Sequence, residues 1–233
     1  LPPMKPVLPL LLALCGLAAT GKADSTAGSD LSLNLFAVPS SAIVEEVARQ
    51  SDTLAGLGMK TFYEKGHRVH ATLYLTTYPA DAVDSVQAAV EQIASNYSSF
   101  PLEVKGIEVT RSNWVFLQVV RTAQLQRLAD EVTLAAEPFR DHSVSPPKWM
   151  EQYPAKLPAF RRYGSPNVFM QFQPHLTLLA DEKNSALADY RTKVQQQPPT
   201  ATGSVVAIGV GIADSLGQIT KTLATYPLQP AKR

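Results

Sequence analysis

The sequence predicts an α+β protein in which mainly antiparallel sheets line a cleft and helices pack outside. Three observations carry that expectation. One pattern occurs twice, as His70-Ala71-Thr72-Leu73 and His175-Leu176-Thr177-Leu178, each inside a short run of strand character. In both runs the side chains alternate between a polar and an apolar face, as in a strand covered on one side only. Between such runs lie stretches with apolar residues at helical spacing.

Taken in order, Leu31 to Val38 alternates and stops at Pro39, which reads as a first strand. Ser41 is a candidate N-cap, with Glu45 near capping-box spacing, for a helix to about Leu57. The His70 strand follows. Val83, Val86, Val90 and Ile93 place a second helix between Pro79 or Asp81 and Tyr97, its acids Asp81 and Asp84 suiting a helix N-terminus better than a metal. Leu102–Val109 and Trp114–Val120 read as a hairpin turning at Arg111-Ser112-Asn113. Leu125, Leu128, Val132 and Ala135 mark a third helix from about Ala123 to Phe139.

Residues 141–168 break this rhythm with five prolines, several aromatics and four cations, a composition that excludes a regular central strand or helix. The segment reads as an insertion, either bordering the cleft or packed as a plain surface connection. The His175 strand, a helix at about Asn184–Gln195 and a closing hairpin of Val205–Ala213 and Gln218–Tyr226 complete the domain, 31–226, leaving 227–233 as a tail.

Only four histidines occur in 233 residues, and two carry Thr at the second position after them. With 17 threonines in the chain, that coincidence has a chance of only a few per cent before the strand context is counted. His70 shares a strand face with Thr72, Tyr74 and Arg68, and His175 shares one with Thr177 and Gln173. Imidazoles exist in both protonation states near neutrality, so a facing pair supplies a base and an acid to one phosphodiester. The threonine hydroxyls supply donors for its non-bridging oxygens. Half-buried strand histidines bonded to local hydroxyls are the bland alternative.

The paired motifs resemble the 2H phosphoesterase superfamily, which includes 2′-5′ RNA ligases and cyclic nucleotide phosphodiesterases. Pro174 ahead of the second histidine fits the same pattern. The resemblance implies two pseudo-symmetric lobes around a central cleft, with the motifs on central strands. It implies His70, His175, Thr72 and Thr177 as catalytic residues and no cofactor. The separation of 105 residues from His70 to His175 is long for that family, in keeping with an insertion.

Substrate-binding candidates are Tyr74, Arg68 and Gln173 from the motif strands, with Trp149 and Tyr163 from the insertion. His67 and His142 read as structural or solvated. No metal site is expected, because neither a His-Glu-x-x-His motif nor a cysteine cluster is present. A serine hydrolase lacks its Gly-x-Ser-x-Gly elbow, and Gly209-Val210-Gly211 lies in a strand, away from any phosphate-cradling turn. The function expected is a secreted phosphoesterase acting on a small cyclic or linear phosphodiester. The alternatives are 2′-5′ RNA ligase-type joining and a secreted module that binds nucleotide or another ligand in the same groove without turnover.

Lys5 and the apolar run Val7 to Ala19 read as a signal peptide over residues 1–23, with a leader at 24–30 and Leu1-Pro2-Pro3 upstream of the start. The run is too short for a membrane span, so secretion or the periplasm is expected. Lipidation at Cys15 fits poorly, because Leu14 stands where a small residue is needed. Cys15 is the sole cysteine, so the mature chain has no disulfide. Residues 1–23 contain Lys5 and Lys22 and no acid, and their removal takes the formal charge from +1 to −1. That balance disfavours long nucleic acid and suits a short oligonucleotide end or small phosphodiester bound by a monomer.

Overall fold

The computed structural model describes residues 30–231. The expected signal peptide with Cys15 and the leader up to residue 29 lie outside them. Among the described residues seven strands form one antiparallel sheet: β1 (Leu31–Pro39), β2 (Ala71–Tyr78), β3 (Phe100–Val109), β4 (Val115–Val119), β5 (His175–Leu179), β6 (Thr200–Ala213) and β7 (Ile219–Pro227). The hydrogen-bonded order is β2-β1-β6-β3-β4-β5, and β7 pairs with β6. Five α-helices accompany them: α1 (Ser41–Ala55), α2 (Val83–Ser95), α3 (Ala123–Ala136), α4 (Leu157–Tyr163) and α5 (Leu187–Gln196). No helix among the described residues is long and apolar enough to cross a membrane.

The long strand β6 makes the two lobes. Its first part, Thr200 to Val205, pairs with β3. Its second part pairs with β1 on one side and β7 on the other. Two four-stranded wings therefore share one strand, β2-β1-β6-β7 and β6-β3-β4-β5. Helices α2 and α3 pack on the first wing, and α1 and α5 on the second. A single apolar cluster runs through both, from Leu33, Leu35 and Leu73 to Val104, Leu117 and Leu176. Each such side chain contributes roughly 1.5–3 kcal/mol through burial.

Several local expectations are refined. Ser40 is the N-cap of α1, and its hydroxyl accepts from the Ser204 backbone N–H at 3.0 Å, so it fastens the helix start to β6 and makes no side-chain cap bond. Thr122 does cap α3, accepting from Leu125 N at 3.2 Å. β6 begins five residues ahead of the expected strand. The tail is tied down as far as Gln229, whose backbone bonds Tyr97 and Ser99. The segment 141–168 holds short 3₁₀ turns and, against expectation, the seven-residue helix α4, whose Pro158 sits in the first turn, where a proline is tolerated, and which Gly164 ends in the left-handed region. The motif strands, expected at the centre of each lobe, are the two ends of the strand order, and the curl of the sheet brings β2 and β5 into contact.

Candidate active site

Each motif ends in the same backbone irregularity. On β2, Thr72 opposes Phe36 and Tyr74 opposes Leu35, leaving Leu73 as the extra residue of a β-bulge. On β5, Thr177 opposes Phe116 and Leu179 opposes Val115, leaving Leu178 extra. The bulges fall one residue after each threonine, and the contacts of the two histidines match as well. His70 Nδ1 donates to Arg68 O at 2.8 Å, and His175 Nδ1 donates to Gln173 O at 2.8 Å. The Phe36 ring lies 5.5 Å from the His70 ring, and the Phe116 ring 4.4 Å from the His175 ring.

The motifs meet in one cleft. Thr177 and Leu176 line the same pocket as His70, Arg68 and Gln218. His70 is buried, immediately ahead of β2, and half-buried His175 opens β5. Burial is the main cause that lowers the His70 pKa, with His175 and Arg68 opposing its positive charge and the Arg68 and Gly217 carbonyls favouring it. Burial also lowers the His175 pKa, followed by the Gln173 carbonyl, which favours the charge, then Lys156 against it and Glu108 for it.

The bulge corrects the placement of Tyr74. Past Leu73 the strand changes phase, so Tyr74, Thr76 and Tyr78 turn into the protein while Leu75 approaches Gly217 on the cleft side. Tyr74 is 1% exposed and donates to Tyr163 O at 2.5 Å. It therefore lies away from the cleft. The Tyr163 ring packs at a tilt against Phe169 at 4.6 Å, with no described contact to either histidine. Thr76 Oγ1 donates to Gly164 O at 2.9 Å. Gly164 has φ 67°, and a Cβ there would lie 2.4 Å from Thr76 Oγ1, so only glycine fits. The Glu137 carboxylate, 2.6 Å from Arg162 Nη1 and 3.4 Å from Arg140 Nε, completes the anchor of this segment on β2.

Other candidates stay near the site. The Arg68 guanidinium covers Phe36 at 5.6 Å beside His70. Exposed Gln173 receives Lys156 Nζ at 3.5 Å. The insertion thus touches the cleft through Lys156, a residue that sequence reasoning passed over. Trp149 is 51% exposed and packs on Tyr153 at 6.1 Å, with no described contact to either histidine. His67 Nδ1 faces Ile219 O at 3.3 Å, and His142 is a solvated neighbour of Glu137.

The larger omission is Asn34, fully buried on the cleft face of β1, with its amide nitrogen 2.9 Å from Thr72 Oγ1. Its place on the alternating strand Leu31 to Val38, on the same face as Ser32, was the available signal. Gln218, in the β6–β7 turn, carried none. No group of three His, Cys, Asp or Glu among the described residues is placed to hold a metal ion.

Comparisons with known proteins fit this geometry. The family model of the 2′-5′ RNA ligase superfamily matches residues 43–215. No curated protein matches the sequence. Among solved structures, TT0787 of Thermus thermophilus superposes with a TM-score of 0.55 at 14% identity, over 87% of this chain and 100% of that one. Escherichia coli LigT complexed with phosphate gives 0.52 at 15% identity, over 87% and 99%. The same protein complexed with 3′-AMP gives 0.50 at 15%, over 86% and 99%. At such identities the likeness shows the fold.

Proposed function

The chain belongs to the 2′-5′ RNA ligase superfamily, the 2H phosphoesterases, and from that membership we propose that it hydrolyses a small cyclic or linear phosphodiester by two-histidine acid–base catalysis without a metal. One observation carries the reading. Two motifs with the same bulge, the same Nδ1–carbonyl bond and the same aromatic neighbour converge on one cleft, where Thr177 and His70 line a common pocket.

The chemistry follows from the groups. One neutral imidazole takes a proton from water, whose oxygen forms the new P–O bond. The P–O bond to the leaving oxygen breaks, and the other, protonated imidazole gives that oxygen its proton. Thr72 and Thr177 hydroxyls donate to the non-bridging oxygens, where charge grows in the transition state. Lys156 and Arg68 add positive potential at the two ends of the cleft. That LigT, of the same fold, has been solved with phosphate and with 3′-AMP supports a ligand of nucleotide size.

The protein is further proposed to act after export, on the pattern of Lys5 and the apolar run to Ala19. N-terminal sequencing of the exported protein tests this, with Asp24 expected first.

The activity is tested with purified protein in chelator against 2′,3′-cyclic and 3′,5′-cyclic nucleotides and 2′-5′-linked dinucleotides. Turnover of at least one class is expected. Binding without turnover across the panel, or a strict need for added metal, contradicts the reading.

A further inference from the structure

The two motifs match in backbone but differ in what surrounds them. At the first, Asn34 aims its amide nitrogen at three acceptors: Thr72 Oγ1 at 2.9 Å, Gly217 O at 3.1 Å and His70 Nε2 at 3.3 Å. Its Oδ1 is buried without a partner. At the matching place on the second wing stands Trp114, one residue ahead of Val115 as Asn34 is ahead of Leu35. No described side chain there bonds His175 Nε2 or Thr177 Oγ1.

The acceptors determine the hydrogens. Gly217 O only accepts, so the nitrogen of the Asn34 amide must face it. Arg68 O only accepts, so His70 Nδ1 carries the ring proton. In the neutral ring Nε2 is then an acceptor, and it faces the Asn34 N–H. Thr72 Oγ1 receives one Asn34 hydrogen, which frees its own O–H to donate elsewhere, and Gly217 O and His70 Nε2 share the other.

We propose that Asn34 is a positioning residue for the first motif. It holds His70 in the tautomer with Nδ1 protonated and Nε2 unprotonated, and directs the Thr72 hydroxyl hydrogen to the substrate. His70 is thereby the base and His175 the acid. The inference rests on the two-histidine reading above. It draws on β1, which lies outside the residues matched by the family model.

The groups facing His70 are Arg68, His67 and Tyr63 of the chain before β2 and His175 of β5; Lys156 and Glu108 face His175. A donor to the neutral form disfavours the charged one, so Asn34 reinforces the effect of burial at His70. The Arg68 and Gly217 carbonyls act the other way, each favouring the charged ring.

The test is ¹⁵N-histidine NMR of the whole protein, in wild type, Asn34→Asp and Asn34→Ala, alongside pH–rate profiles. Wild-type His70 is expected to show an unprotonated Nε2 and to titrate below His175. In Asn34→Asp a carboxylate replaces the donor, so the His70 pKa rises and the acid limb of the rate profile moves to higher pH. Its kcat falls about tenfold or more with KM little changed, since a misaligned base costs rate. Asn34→Ala moves both in the same direction by less, and His175 stays where it was.

A wild-type His70 carrying its proton on Nε2 overturns the proposal without any variant, so a misfolded variant does not shield it. It is also overturned if the variants leave the His70 resonances and the acid limb unmoved, or move His175 equally. Absence of turnover together with the expected tautomer defeats the enzymatic reading and keeps the positioning; turnover with an Nε2–H tautomer does the reverse.

Discussion

Phe36 and Phe116 are structural counterparts: each lies directly opposite the threonine of one motif and packs its ring against that motif's histidine. The seat of Phe36 is made by Gly209 on the neighbouring strand. A Cβ at Gly209 would lie 2.2 Å from the Phe36 ring.

Gly209→Ala should therefore displace Phe36 and, through it, the His70 ring. Overpacking of this kind costs about 1–3 kcal/mol. Urea unfolding is expected to show that loss, with kcat falling in the folded fraction. Unchanged stability and rate would mean that Phe36 does not set the position of His70.

Tyr74→Phe separates the core from the cleft. The hydroxyl bonds the Tyr163 carbonyl inside the protein, so its removal should cost about 0.5–1.5 kcal/mol of stability. Substrate KM and kcat should be unaltered. A change in KM with full stability would return Tyr74 to the cleft.

Much of the architecture was legible in the sequence, because alternation and helical spacing are local properties. The histidine pair was legible because both copies carry the same polar residue at +2. The bulges were not equally visible. On β5 the apolar doublet Leu178-Leu179 betrays one. On β2 the equivalent doublet is Leu73-Tyr74, and a tyrosine suits either face, so unbroken alternation was the natural reading. The bulge comes from register against β1, a strand far back in the chain, and no local pattern encodes it. Lys156 reaches the cleft through the path of an irregular segment, which composition cannot trace.

Both histidines titrate below the usual imidazole value. The productive state has one neutral and one charged ring, so the kcat/KM optimum should lie on the acid side of about pH 6.5. A bound phosphate favours both charged rings, so the kcat profile should be displaced to higher pH. An alkaline optimum of kcat/KM would contradict the burial of the pair.

The same shifts have a consequence for stability. Between the lowered native value and about 6.5 the unfolded chain binds more protons than the native one. The contribution of the two rings is complete above that unfolded value and is lost as pH falls below it. Comparing urea midpoints of wild type and His70→Gln from acid to neutral pH should show a shallower acid decline in the variant. Parallel curves would mean that His70 is freely protonated in the fold.

Lys156→Ala should raise KM for an anionic substrate. It also removes a cation that opposes charge on His175, so the His175 pKa should rise and the basic limb of the kcat/KM profile should move to higher pH. An unmoved limb would place Lys156 outside the working site.

The central claim, that His70 and His175 act as one acid–base pair, is tested most directly by turnover of the best phosphodiester substrate in chelator. His70→Ala and His175→Ala are each expected to lower kcat by roughly 10²–10⁴. The double variant should be little worse than either single one, because the two act as a unit. Thr72→Ala and Thr177→Ala should cost less, each removing one donor and leaving proton transfer in place. Full activity in either single histidine variant, with the protein folded, would contradict the account.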